Sequence, residues 1–296
     1  MNIIITGPTG LIGSALIERI EKSGDTFTGL TRSKESLYEN QAYWDPERGD
    51  IDLAALEGHD AVVHLAGESI AGRWTAEKKM RIEKSRLEGT ALLSESLSKL
   101  QAKPRVVIGA SAVGFYGDRG EEVLTEESGP GKGFLAALSV KWESSLGPAA
   151  QAGIRVVNLR IGVVLSKKGG ALREMLLPFK LGLGGRIGDG RQYWSWIALE
   201  DVIGAIYHCI EHKELRGPIN AVAPGSITNK EFTKALGGAL GRPTVFPLPS
   251  FAARGLLGEM ADEALLASVR VEPKKLLDTG YKFKFVNLSD ALGHIL

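Results

Sequence analysis

The feature that most limits what this chain can fold into stands at its start. A short isoleucine run, Asn2 to Thr6, leads directly into the glycine turn T-G-P-T-G-L-I-G over 6–13. The run is β-branched and too short for a helix, so it reads as a buried strand. The residues that follow, LIGSALIERIEKSG, carry apolar side chains at helical spacing and end on Gly24, a helix stop. A glycine pattern gains meaning from lying between a strand and a helix. Gly7 permits the tight turn, Gly10 lets backbone approach a pyrophosphate, and Gly13 lets helix pack closely on strand. The N–H groups at the helix start offer partial positive charge to phosphates. Thr9, Leu11 and Ile12 complete the candidate phosphate-binding set.

The second strand, TFTGLTR, bears on the choice of dinucleotide. An acid at its end would hold the adenosine ribose hydroxyls and favour NAD. This strand ends Leu30-Thr31-Arg32-Ser33-Lys34. A guanidinium there binds a 2′-phosphate and stacks on adenine, which favours NADP(H) and makes Thr31 and Arg32 candidate contacts. The other reading of Arg32 is a solvated surface side chain.

Strand and helix patterns then alternate. Ser33 to Asp50 reads as loop, IDLAALEG as a short helix and DAVVHLAG as a strand. Thr75 to Leu100 reads as a long amphipathic helix, RVVIGASAV as a strand, Phe134 to Ala152 as a helix and RVVNLRIGVVL as a strand. This alternation predicts an α/β fold, a doubly wound parallel sheet with right-handed crossovers. After Leu165, glycines from Gly169 to Gly190 predict a flexible, turn-rich stretch. GPINAVAPG reads as another strand and NKEFTKALGGALG as a helix. The rest reads as a small, mainly helical C-terminal lobe. The expected division is a dinucleotide-binding domain over 1–165 and a substrate-side segment with its lobe over 166–296, both integral to one unit.

TGPTGLIG, HLAGES, GASAVGFYGD, LRIGVVLSKKGG and WSWIALEDV occur in the order seen in the NAD(P)-dependent epimerase/dehydratase group, the extended short-chain dehydrogenase/reductases. AGESIAGRWTAEKKMRIEKSRLEGT, LLPFKLGLGGRIGDGRQYWSWI and GEMADEALLASVRVEPKKLLDTGYKF resemble an atypical epimerase subgroup, described as nucleoside-diphosphate-sugar epimerases, with its own C-terminal domain. The resemblance covers essentially the whole chain. It implies that Leu65, Ala66, Gly67 and Glu68, at the end of the strand carrying His64, contact cofactor ribose and phosphate. Ligands of open α/β sheets do sit beyond the carboxyl ends of the strands. Arg86 is a further candidate cofactor contact, or a surface arginine paired with Glu83 or Glu88.

The resemblance also implies a Ser/Thr and a Tyr-x-x-x-Lys pair, the tyrosine as general acid/base and the lysine lowering its pKa. Ser111 ends the strand RVVIGAS in the expected place. Lys141 resembles the family lysine, but Ala137 stands four residues before it, and Leu135 or Ala136 is no better in another register. Tyr116, in GFYGD, is the nearest substitute, lining the substrate pocket or taking over proton transfer. The catalytic candidates are therefore Ser111, Tyr116 and Lys141. Trp74, Trp194 and Trp196 could stack on a base or sugar, and Arg73, Arg186 and Arg191 could bind phosphate or carboxylate. Glu200-Asp201 reads as a helix cap, and Ala198 replaces a histidine common in related sequences.

The pattern supports two functions. One is an NADP(H)-dependent oxidoreductase or epimerase acting on a small, nucleotide-sugar-like substrate. The other is a non-catalytic NADP(H) sensor, some relatives being linked to cell or plastid division. A formal net charge of +1 gives no reason to expect nucleic acid as partner. The chain opens without a charged leader and holds no long apolar run, so the expectation is a cytoplasmic protein with no membrane contact. A homodimer is a further expectation. The single cysteine, Cys209, excludes an internal disulfide and reads as core. His208 and His212 lack a third ligand, so no metal site is expected.

Overall fold

The computed structural model describes residues 1–33 and 40–296. Strand β1 (Asn2–Thr6) leads into helix α1 (Leu11–Lys22) and strand β2 (Thr26–Thr31), as the glycine turn predicts. The stretch that reads as loop contains a strand, β3 (Gln41–Asp45), parallel to β2 through Leu30↔Ala42. Its alternation is the cause, since Ala42 and Trp44 are buried and Tyr43 between them is not. Strand β4 (Asp50–Ile51) returns antiparallel on β3, and only a single helical turn, Ala54–Leu56, forms where a helix over 51–58 is expected.

Strand β5 (Ala61–His64), helix α2 (Ala76–Lys99) and strand β6 (Val106–Ala112) follow the sequence reading. The Thr75 hydroxyl caps α2 by accepting the Lys78 N–H at 3.1 Å. Strand β7 (Val123–Leu124) lies in the loop before α3 (Phe134–Ser144). The one helix expected over 134–152 is two, because Pro148 in the first turn of α4 (Gly147–Gln151) cannot donate to a continuing α3. The strand expected over 155–165 divides into β8 (Arg155–Ile161) and β9 (Val163–Leu165). Gly162 is the break, where a Cβ would lie 2.5 Å from the Ser195 carbonyl oxygen.

The glycine-rich stretch is more ordered than its composition predicts. Helix α5 (Gly170–Lys180) buries Leu172, Leu176 and Phe179 at helical spacing. Strands β10 (Tyr193–Trp194) and β11 (Trp196–Ala198), helix α6 (Leu199–Glu211) and strand β12 (Gly217–Ala221) follow. Then come β13 (Ile227–Thr228), α7 (Asn229–Leu240), α8 (Ser250–Leu257), β14 (Arg270–Val271), α9 (Lys274–Asp278) and α10 (Leu288–Ile295), a mainly helical lobe.

The main sheet has the order β12-β8-β6-β5-β1-β2-β3-β4. Every pairing from β12 to β3 is parallel. Strand β12 lies past residue 165, so the sheet crosses the expected division. The chain winds outward from β1 through β2 to β3, then from β5 through β6 and β8 to β12. The topological switch therefore falls between β1 and β5, where doubly wound sheets bind ligands. Alternation along β1 fixes the layers. Ile3 and Ile5 pack with Leu16 and Ile20 of α1 and with α6, while Ile4 packs with Leu93 and Leu97 of α2 on the other face.

Candidate dinucleotide site

The glycine turn lies at the switch point. Gly7 has φ +68°, a conformation glycine adopts without strain, and a Cβ there would lie 3.1 Å from the Ala66 nitrogen. At Gly13 a Cβ would lie 2.2 Å from the Gly7 carbonyl oxygen, so α1 can approach the turn only with glycine there. Gly10 differs, since a Cβ would meet nothing nearer than the Gly7 carbonyl oxygen at 3.3 Å and its outer side is open. It is also the N-cap of α1, and no side chain caps that helix. Thr9 and Gly10 are exposed, and Leu11 and Ile12 are half-buried. The first turn of α1 thus turns backbone donors toward an open face, which suits a pyrophosphate.

Loop 65–68 is held from below. Thr6 and His64 are register partners on β1 and β5. The Thr6 hydroxyl accepts the N–H groups of Leu65 and Ala66, each at 3.0 Å, and so donates to His64 Nδ1 at 2.7 Å. His64 Nε2 donates to the Thr90 hydroxyl at 2.9 Å, and Trp142 Nε1 donates to the same oxygen at 2.9 Å. These partners assign a neutral imidazole, and complete burial pushes its pKa down to about 4. His64 is a brace under the loop. The Glu68 N–H donates to the Ser85 hydroxyl at 3.0 Å, and Arg86 donates to the Glu68 carbonyl at 2.9 Å. Arg86 also stacks 4.9 Å from the Trp142 ring and lies against Gly67. Burial lowers its pKa to about 10. It pairs with neither Glu83 nor Glu88; it supports the backbone of Gly67 and Glu68.

At the adenosine end, Thr31 closes β2 and Arg32 is exposed. Arg32 pairs with no acid among the described residues, and Lys34 lies outside them.

Of the three catalytic candidates, Ser111 and Tyr116 are joined through one buried network and Lys141 stands apart from it. Ser111 is buried and donates to Glu143 Oε1 at 2.7 Å. Glu143 receives Arg160 at both carboxylate oxygens, at 2.8 and 2.9 Å. Arg160 lies 3.4 Å from the Phe115 ring centroid and donates to the Tyr116 hydroxyl at 3.0 Å. Tyr116 donates in turn to Asn220 Oδ1 at 2.7 Å. It is 0% exposed, so it presents no surface to a pocket, and burial raises its pKa. Lys141 stands on the outer face of α3, 60% exposed, paired with Glu83 at 2.7 Å. Ala137 shares that exposed face, Ala136 is buried and Leu135 packs on Gly114. The Glu143–Arg160 pair is the part that sequence reading missed. Its signal is a charged residue inside the apolar run RVVNLRIGVVL, which requires a buried partner.

The tryptophans are core. Trp74 donates to the Ile70 carbonyl at 2.7 Å, Trp194 donates to Leu265 at 3.2 Å, and Trp196 is 1% exposed. Arg73 donates to the Gly255 carbonyl, while Arg186 and Arg191 are exposed. Asp201 does not cap α6 with its side chain. Its carboxylate accepts the N–H groups of Lys284 and Phe285 at 2.7 and 3.1 Å, tying the C-terminal tail to the helix. Burial pushes the Cys209 thiol up to about 12, so it is inert. Among the described residues no three His, Cys, Asp or Glu side chains could hold a metal, and no helix is long and apolar enough to cross a membrane.

A parallel doubly wound sheet with a glycine turn at its switch point defines a dinucleotide-binding α/β protein. Residues 3–222 match the NAD dependent epimerase/dehydratase family, and the chain belongs to it. Residues 248–295 match a second family, a domain of unknown function, DUF1731. An epimerase family protein of Mycobacterium tuberculosis is 43% identical over 293 residues, covering 99% of this chain and 96% of its own length. Human epimerase family protein SDR39U1, solved with NADPH, superposes with a TM-score of 0.92 at 36% identity, covering 100% of this chain and 99% of that one. A nucleoside-diphosphate sugar epimerase of Corynebacterium glutamicum matches with a TM-score of 0.83 at 35% identity, over 100% of this chain and 58% of that one.

Proposed function

We propose that this chain holds NADP(H) and exchanges hydride with a small carbonyl or carbinol substrate, of a class that includes nucleotide sugars. The uncapped, outward-open start of α1 beside loop 65–68 is the observation that carries the reading. The glycine turn would take the pyrophosphate, and Arg32 with Thr31 the adenosine end. An exposed guanidinium at the end of β2, with no carboxylate at 31–33, suits a 2′-phosphate. The human relative solved with NADPH supports the same choice. A bound nicotinamide supplies or accepts the hydride. Ser111 donates to Glu143 in this structure; turned toward substrate, the same hydroxyl would donate to a carbonyl oxygen or accept from a carbinol hydroxyl, with the proton of a newly formed hydroxyl drawn from water.

A second reading, an NADP(H) sensor without turnover, draws support from a specific observation. Ser111, Tyr116 and Lys141 are each bonded to protein partners. NADPH oxidation across a panel of small carbonyls and nucleotide-linked ketosugars separates the two. Hydride transfer predicts turnover that falls about a hundredfold in Ser111→Ala with NADPH binding unchanged. NADPH binding with no turnover on any member would instead favour the sensor.

A further inference from the structure

We propose that the cleft between α1, α6 and the C-terminal tail is a second ligand site, which takes an organic phosphate carrying two or more negative charges. This goes beyond the dinucleotide reading, because none of the glycine-turn residues 7–13 lines the cleft. Its volume is about 610 Å³, within the span of small-molecule sites.

Three separate segments bring cations to it. Arg19 and Lys22 come from α1, Lys167 and Lys168 from the turn after β9, and Lys284 from the tail. Two acids oppose them, and both are already matched. Glu18 pairs with Lys168 at 3.0 Å, while Glu200 pairs with Lys284 and with His294. Burial acts to raise the Glu200 pKa, but the bonds from Lys284 and His294 outweigh it and lower the value, so Glu200 stays ionised. Arg19, Lys22 and Lys167 have no acid partner among the described residues. Arg19 is steadied by stacking over the Tyr207 ring at 5.3 Å. Five cations against two acids leave +3 at this cleft, before any protonation of His294, in a chain whose formal net charge is +1.

Arg19 and Lys22 also complement the C-terminal end of α1, which accounts for their presence on that helix. It does not account for Lys167, which faces the same space from a different segment. The floor is apolar, from Leu165, Ala198, Ile203, Phe285 and Ile295. An apolar floor under a cationic rim fits an amphiphilic anion, with an aromatic or aliphatic body below and phosphates toward the lysines. A nucleoside diphosphate is the simplest ligand with that chemistry, and pyrophosphate shares its charged part alone.

The test is calorimetric titration of the full chain with ADP, and separately with inorganic pyrophosphate. Saturating NADPH is present, so that the phosphate site of the glycine turn is already filled. The expected result is saturable ADP binding that weakens with added salt. Binding should fall roughly tenfold or more in Lys22→Glu with Lys167→Glu, and by less in the paired alanine variant. Pyrophosphate binding equal to that of ADP would assign recognition to the phosphates; weaker pyrophosphate binding would assign part of it to the apolar floor. Both positions are exposed, so the melting temperature should fall only slightly, through the reversed charge at the C-terminal end of α1 in Lys22→Glu. Two results would overturn the proposal: no binding of either probe with NADPH present or absent, or binding indifferent to both variants. The variants carry the test even if the dinucleotide itself fails to bind.

Discussion

Ser111 and Tyr116 have the hydroxyls that proton transfer requires, but the residue deciding what they can do is Glu143. Its carboxylate and the Arg160 guanidinium are 11% and 4% exposed, and each satisfies the other. Removing one partner leaves a buried charge unpaired. Glu143→Leu should therefore cost about 3–5 kcal/mol in urea denaturation, and a loss below about 1 kcal/mol would mean that the pair is not a supporting element. His64 gives a second prediction, in pH. Its folded pKa of about 4 lies below the ordinary value of 6.5, so the unfolded chain binds the extra proton between those values. This contribution is fully present above pH 6.5 and is lost as pH falls toward 4. It amounts to about 3 kcal/mol. Denaturation midpoints across that window should fall less steeply in His64→Asn than in the parent; parallel slopes would assign the acid sensitivity to other groups. The sequence showed the glycines and Arg32 because each acts through its own backbone or charge. It hid the Ser111–Glu143–Arg160 group because that group exists only once β6, β8 and α3 have packed.

Helix ends show the same division. Thr75 before α2 and the Thr228–Glu231 capping box of α7 are local patterns, readable in order along the chain. Helix α3 begins at Gly133, which has no side chain to offer, and its cap comes from 130 residues away. Glu263 accepts the Phe134 and Leu135 N–H groups on its two oxygens, at 2.6 and 2.7 Å. Glu263→Ala should lower stability by about 1–2 kcal/mol, seen as a drop in melting temperature, with Glu263→Gln intermediate. An unchanged melting temperature in Glu263→Ala would show that water replaces the carboxylate at no cost. The strands were legible wherever apolar and β-branched residues run together. Strand β3 was missed because only Ala42 and Trp44 face the core, and the β8–β9 break because one glycine in an apolar run gives no sign of the carbonyl it must clear.

The molecule as a whole is a doubly wound sheet with its C-terminal tail drawn back across it. Glu263 reaches α3, β14 pairs with β7, and Lys284 and Phe285 hang on Asp201 of α6. Asp201→Ala removes the acceptor for both tail N–H groups. The tail should then become the first site of limited proteolysis, with a stability loss of about 2–3 kcal/mol; an unchanged cleavage pattern would show that packing of Phe285, Leu288 and Leu292 holds it without Asp201. None of this wrapping is visible in sequence, since it joins segments about 80 to 150 residues apart. The doubly wound parallel sheet and the placing of the glycine turn were visible, because alternating strands and helices joined by right-handed crossovers leave few other arrangements. The central proposal, that the open start of α1 and Arg32 together hold NADP(H), is tested most directly by binding. NADPH and NADH would be titrated into the full chain and into Arg32→Ala, followed by nicotinamide fluorescence. The prediction is that NADPH binds on the order of tenfold to a hundredfold more tightly than NADH, and that Arg32→Ala removes most of the difference. Equal affinity for both, a preference that survives Arg32→Ala, or binding of neither would contradict it.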